Sequence, residues 1–431
     1  MNMAPAARQA ALWGILLPAA LIMSITMGSR QVTGLFISPM NTSTGIGVAG
    51  LSFALAVGQF VWGATQPVFG ALADRFGPIA VMIAGTLMLA AGLAITPLMT
   101  TEWGMVFALG VLTAAGAGAA SFSILISIAA QYLPPERRSF SAGFINAGGS
   151  FGQFVFAPLA ERLIAVAGWI NAMLALAATT LIAIPLILSL RRQRRRSVPP
   201  AGAEAGKPGS TGSDASSTDR QDASPIAAPP ALTLRAQLRI ALRDRSYLLL
   251  HLGFFTCGFH VAFLITHLPG EIAVCGLPAT VAGVSIAIIG LANIAGSLGA
   301  GWLGNRYRMK STLFWIYTVR AVLILGYLAA PKVALTFYVF AAGMGLTFLA
   351  TVPPTAGLVG KLFGVRYLAT LFGLTLLSHQ IGGFLGAWLG GLAFEANGDY
   401  LWMWYADAAL ALFAGLVHLP IREAPVRWVA A

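Results

Sequence analysis

The sequence predicts an all-α integral membrane protein: twelve transmembrane helices arranged as two pseudo-symmetric six-helix halves. Three observations lead there. The 431 residues are 58% hydrophobic and 9% charged, with a mean hydropathy of +0.80, whereas soluble domains carry about 25% charged residues. Apolar stretches of the ~20 residues needed to cross a bilayer occur six times before a polar gap and six times after it. A short motif also recurs at a spacing of about half the chain.

The first six stretches fall at roughly 12–38, 48–73, 79–99, 103–132, 139–162 and 168–190. The second six fall at roughly 246–269, 278–303, 311–330, 333–360, 367–394 and 400–420. We number them segments 1 to 12. Inside lipid each backbone polar group must be satisfied within its own segment, which forces helices unless a barrel closes. The alternating ~10-residue strands of a barrel do not occur. Forty-nine glycines sit largely within these runs, where small residues let helices approach closely. Segment 1 is too long for the core of a signal peptide and reads as a retained helix.

Residues 1–196 thus make the first half and 246–431 the second. Between them, 197–231 is rich in Pro, Gly, Ser and Asp without apolar periodicity, the composition of a disordered cytoplasmic linker. Residues 232–245 (alternating apolar and basic at helical spacing) predict an amphipathic interfacial helix. With both termini in the cytoplasm, every Lys and Arg except Arg30, Arg162, Arg320 and Lys332 falls on that side. This is the bias expected of an inner-membrane protein. The net charge of +12 therefore signals orientation: the dense run Arg191, Arg192, Arg194, Arg195, Arg196 directly follows segment 6 and lacks interleaved aromatics, which argues against nucleic acid. Cys257 and Cys275 match neither a disulfide framework nor a metal site.

The repeat is Gly70-Ala-Leu-Ala-Asp74-Arg75-Phe76-Gly77 after segment 2 and Gly301-Trp-Leu-Gly-Asn305-Arg306-Tyr307-Arg308 after segment 8. Gly143 and Gly152 in segment 5 likewise match Gly373 and Gly382 in segment 11. Repeated six-helix halves are a common transporter architecture, with substrate bound near the midplane between them. The motif resembles the G-x-L-x-D-R-x-G-R-R loop of the major facilitator superfamily, with Pro78 and Ile79 in place of the two basic residues. Four further features are similar to its bacterial monocarboxylate-porter group, which includes oxalate–formate-type exchangers. They are Gly28-Ser-Arg30-Gln31-Val-Thr-Gly34-Leu-Phe36, Arg137-Arg138, His267-Leu-Pro269 and Ser378-His379-Gln380. Carriers of that group commonly place an Arg in helix 8 and some a Lys in helix 11; this chain has Asn293 and His379 instead. The resemblance implies an alternating-access carrier of a small organic anion, driven by protons or a counter-anion and working as a monomer. It also implies that Gly70, Asp74, Arg75 and Gly77, with Gly301, Asn305 and Arg306, form gating loops. Asp74 would brace the inner gate at the N-terminus of helix 11.

Among individual residues Arg30 is the most informative. A charge within a membrane helix costs ~2.5–3.5 kcal/mol and so marks function by default, and guanidinium matches a carboxylate through two bonds. No acid lies deep in segments 1, 2, 4 or 5 to neutralise it; snorkelling to a helix end is the bland alternative. Asn146, Asn293, His379 and Gln380 join Arg30 as candidate substrate ligands. His379 and His260 are the candidate proton carriers, since imidazole titrates near neutrality, although a lone histidine is more often a plain hydrogen-bonding partner. Arg320 and Asp407, at similar depths in segments 9 and 12, are expected to form a structural ion pair. Thr347, Thr351 and Thr355 share a face around Pro353-Pro354 and could form a flexible gate. No nucleophile–base pair, metal cluster or phosphate loop appears, so neither enzyme chemistry nor a cofactor is expected. The rival readings are efflux of an amphipathic or drug-like compound, which would want an embedded acid rather than Arg30, and a membrane sensor without transport.

Overall fold

The computed structural model describes residues 5–120, 124–125, 128, 135–197, 233–364 and 367–426. The linker expected at 197–231 lies almost wholly outside the described residues, as do the side chains of Asp74 and Asn305. Among the described residues there is no strand.

The helices in chain order are α1 (Pro5–Gln31), α2 (Val48–Phe76), α3 (Pro78–Ile95) and α4, which runs through Glu102–Met105, Val106–Thr113 and Ala114–Ala119. Within Pro135–Leu181 two helices meet at Gly168, whose φ 80°, ψ 161° is not helical. We call them α5 and α6, the latter continuing as Ala183–Ser197. The second half contains α7 (Arg245–Val274), α8 (Ala279–Arg306), α9 (Met309–Ala329), α10 (Ala334–Thr347 and Val352–Phe363), α11 (Leu368–Asn397) and α12 (Leu401–His418). Ten helical stretches among the described residues are long and apolar enough to cross a membrane, and the bent pair supplies two crossings within one of them. The fold is therefore that of the predicted multi-pass bundle.

The expected amphipathic helix is shorter than 232–245, spanning Leu234–Ala241. Thr233 caps it, and its buried Gln237 donates to the Phe363 carbonyl (2.7 Å), seating it under α10. Asp244 then starts α7 by accepting from the Tyr247 N–H at 2.9 Å. These caps satisfy donors that a helix start leaves unpaired.

The repeat read in the sequence is also a repeat in packing. A Cβ at Gly152 of α5 would collide with the Ser24 carbonyl of α1, and one at Gly382 of α11 with the Phe255 carbonyl of α7. Each half thus contains a close backbone approach that only glycine permits, at corresponding positions. Gly77, at φ +88°, turns the chain between α2 and α3, and Pro78 occupies the first helical position, where no N–H is needed. The motif's departure at Pro78 therefore starts α3.

Among the described residues, the contacts that join the two halves lie at mid-bundle and toward one side. Facing elements touch where a Cβ at Gly34, in the tight turn Thr33–Phe36 that follows α1, would strike the Ile265 carbonyl (α7) and one at Gly391 (α11) would strike Ser52 (α2). Gln153 of α5 donates to the Ile286 carbonyl of α8 at 3.3 Å. Toward the opposite, linker-bearing side, nothing lies within 4 Å of where a Cβ would stand at Gly70, Gly143, Gly299, Gly301 or Gly373. Among the described residues the bundle is closed on the far side and open on the linker side.

Candidate functional site

A cavity enclosing about 1410 Å³, some of it open solvent, lies between the halves. Helix periodicity decides what faces it. From α1 come Met23, Met27, Arg30 and Gln31; from α11, Phe372, Leu376, His379 and Gln380, at identical spacing. The face of α2 is Gln59, Trp62 and Gln66, and α5 adds Asn146 and Ser150. In α4, Val106–Thr113 forms a π-helical turn in which Thr113 bonds back to the Ala108 carbonyl at 2.8 Å. Such widened turns recur at functional sites, and Thr113 lines the cavity.

Arg30 is half-buried and is the one permanently charged side chain among the described residues of the cavity wall. Its Nη2 donates to Gln59 Oε1, and its guanidinium lies over Trp62, 4.6 Å from the ring centroid. The aromatic face favours the cation and, with Gln59, fixes the plane of the fork. The fork carries five N–H donors, of which Gln59 takes one. No carboxylate lies on the cavity wall among the described residues, and none pairs with Arg30. The arrangement presents a fixed positive charge in a mainly apolar chamber, which suits an anion with an apolar body.

The structure brings Arg30, Asn146, His379 and Gln380 to this one wall. Gln380 packs against Gly63 of α2, where any side chain would collide with it. His379 is buried, its ring 4.9 Å from that of Phe254, with Nδ1 lacking a partner. Asn293 does not belong to the wall. Its Nδ2 donates to Ser150 Oγ at 2.9 Å, and its Oδ1 accepts from the Leu349 N–H (3.0 Å) and from Ser297 (3.2 Å). An amide with donor and acceptor both engaged fastens α8 to α5 and α10 and has little left for a solute.

The Arg320–Asp407 ion pair expected from sequence does not form. Asp407 Oδ2 lies 2.5 Å from Nδ1 of His260, both side chains fully buried. Arg320 instead donates through Nη2 to the carbonyls of Thr347 (2.5 Å) and Phe348 (3.2 Å). The reason is the break in α10: Val352 N–H turns to the Leu349 carbonyl (3.1 Å), and Pro353 and Pro354 open the next piece. Carbonyls left unpaired in a bilayer interior must find a donor, and Arg320 supplies it. His260, like Asp407, lies away from the cavity wall. Of the gating motif, Arg75 and Arg306 are exposed and rest on Phe76 (5.2 Å) and Trp302 (5.7 Å).

Thr113 and Trp62 were not legible as site residues. Thr113 sits in an unbroken apolar run. Trp62 could have been found from Gln59 and Gln66, which put it on one helical face with two polar residues.

A family model described as Major Facilitator Superfamily matches residues 19–348 and 276–431. Monocarboxylate transporter 13 of Bos taurus is 22% identical over 413 residues, covering 95% of this chain and 89% of its own. The oxalate:formate antiporter of Oxalobacter formigenes is 28% identical over 156 residues, covering 36% of this chain and 37% of its own. Among solved structures, a D-xylose-proton symporter superposes with a TM-score of 0.67 at 14% identity, covering 95% of this chain and 98% of its own.

Proposed function

The chain belongs to the Major Facilitator Superfamily, and from that premise we propose that it carries a small monocarboxylate-like anion across the inner membrane by alternating access. That it is a secondary transporter and not an enzyme follows from the family and its transporter relatives. The substrate class rests on one observation above all: Arg30 is the permanent charge of the cavity wall and no carboxylate stands beside it. A monocarboxylate would meet the guanidinium fork with its two oxygens and lay its apolar remainder against Met27, Trp62 and Phe254. The names of the bovine and Oxalobacter relatives fit this class. The anion would move with protons or in exchange for another anion.

Both termini and the linker lie in the cytoplasm in this reading, as the distribution of Lys and Arg favours. The open side of the bundle is then the inward-facing one. Titration calorimetry of the purified protein against a panel of small mono- and dicarboxylates tests the reading. Saturable binding of a monocarboxylate, competed by its relatives and lost on neutral amide analogues, is expected. A best ligand that is neutral or cationic would replace the reading with efflux of amphipathic compounds.

A further inference from the structure

We infer that the second half carries a proton-binding site set apart from the substrate cavity, built from His260 (α7), Asp407 (α12) and Arg320 (α9). The site gives the proposed transport a coupling ion, and in that sense it rests on the transport reading. The proton site itself stands on its own geometry.

His260, Arg320 and Asp407 are all fully buried. A carboxylate can only accept, so the 2.5 Å contact places the neutral imidazole's hydrogen on Nδ1 and leaves a lone pair on Nε2. That Nε2 has no partner, and neither do Asp407 Oδ1 or Arg320 Nε and Nη1. Three helices thus hold polar atoms in one apolar interior, and these side chains are only partly used in holding the fold together. The ionisable groups that act on His260 are Asp407 on α12 and Arg320 on α9; Cys257, one turn away on α7, faces Arg320 and Tyr317 of α9 and His379 of α11. The neighbouring part of α10 offers only hydroxyls and the carbonyls that Arg320 holds. With Arg320 positive, Asp407 negative and His260 neutral, the cluster carries no net charge. The free lone pair at Nε2 takes one proton, and Asp407 then faces an imidazolium across the 2.5 Å contact.

A chain of polar contacts runs from the cavity to Arg320. His379 lines the cavity and interacts with the Cys257 thiol. Cys257 Sγ lies 3.1 Å from Thr351 Oγ1 and 3.8 Å from the Phe348 carbonyl. Phe348 is also one of the two carbonyls that Arg320 holds, at 3.2 Å. These contacts pass through the break in α10, so a positive charge gained at His260 acts through Arg320 on the contact that fixes the broken turn. Loading the site would loosen Arg320 from Thr347 and Phe348 and free the Val352–Phe363 arm to move. Substrate bound beside His379 and a proton bound at His260 would then both act on α10.

Residue-resolved hydrogen–deuterium exchange at histidine C2, read by mass spectrometry on the full-length protein in detergent without substrate, tests the site directly. The rate at His260 should rise sigmoidally with pH, scanned from the acid limit of the folded protein to pH 8.5. In Asp407→Asn its midpoint should fall by about 1–3 units, the shift a lost carboxylate neighbour produces. In the same samples, amide exchange over residues 344–356, corrected for intrinsic rate, should be faster at the acid end of the parent's titration and lose that dependence in His260→Gln. A flat profile at His260 in the unmodified protein overturns the proposal whether or not the variants fold. So does a normal titration with amide exchange indifferent to it. Neither outcome touches the choice of substrate, which fails or stands on the ligand panel alone.

Discussion

At the residue scale, Arg30 and Arg320 show how one side chain type does opposite work. Arg320 is wholly buried and spends its charge on carbonyls freed by a helix break. Arg30 faces a chamber and gives one bond to Gln59. Losing a buried charge–charge contact typically costs ~2–5 kcal/mol. Arg30→Ala should therefore weaken binding of the best carboxylate at least ~30-fold by calorimetry. Arg30→Lys keeps the charge but loses the planar fork, and should recover only part of that loss. If Arg30→Ala binds as tightly as the parent, the anion reading is wrong. Arg320→Ala is expected to behave differently, lowering the thermal unfolding midpoint, because two carbonyls inside the membrane lose their donor. A variant as thermostable as the parent would show that the break in α10 needs no partner.

At the scale of elements, the far-side closure rests on a carboxylate at a helix start. Glu395, near the end of α11, accepts from the Ala49 N–H at 2.9 Å, across the two halves and within the first turn of α2. A negative charge there is worth ~0.3–1 kcal/mol, enough to shift a two-state balance about two- to five-fold. Thr266 lines both the central cavity and a second pocket toward the far side, which makes it a suitable reporter. In a Cys257→Ser, Cys275→Ser background, Glu395→Gln should raise the rate at which a membrane-impermeant maleimide applied from the far side labels Thr266→Cys by that factor. An unchanged rate would mean the gate is held by packing alone. The helices themselves were legible from sequence, because a bilayer leaves the chain few alternatives to apolar helices of the right length. The site was legible where one face repeats a pattern: Arg30 and Gln31 on α1 match His379 and Gln380 on α11. Pairings between helices were not. Arg320 and Asp407 have similar depths and lie on packed helices, yet rotation about each helix axis turns Asp407 to α7 and Arg320 to α10. The π-helical turn in α4 has no local sequence signal, so Thr113 was missed with it.

At the scale of the whole molecule, the two halves share a fold but divide the chemistry. The first contributes the fixed charge, Arg30; all five histidines fall in the second. Each half has its own apolar packing, one around Ile22, Met82 and Ile145 and the other around Tyr247, Leu313 and Leu358. What joins them lies toward the far side: the turn after α1 on α7, α2 on α11, α5 on α8. Motion between an inward-facing and an outward-facing state would therefore be a rocking of one half on the other, with the far-side contacts exchanged for contacts near Gly70 and Gly373. The polypeptide between the halves need do no more than keep them together. A Gly/Ser chain of about 30 residues spans roughly 30 Å on average, comparable to the thickness of the bilayer core, and resists small rotations little. Replacing residues 200–230 with a Gly/Ser chain of equal length should thus leave uptake in reconstituted vesicles within about two-fold of the parent. Near-complete loss of uptake with normal membrane insertion would assign that segment a part in the transport cycle, and the division of labour drawn here would have to include it.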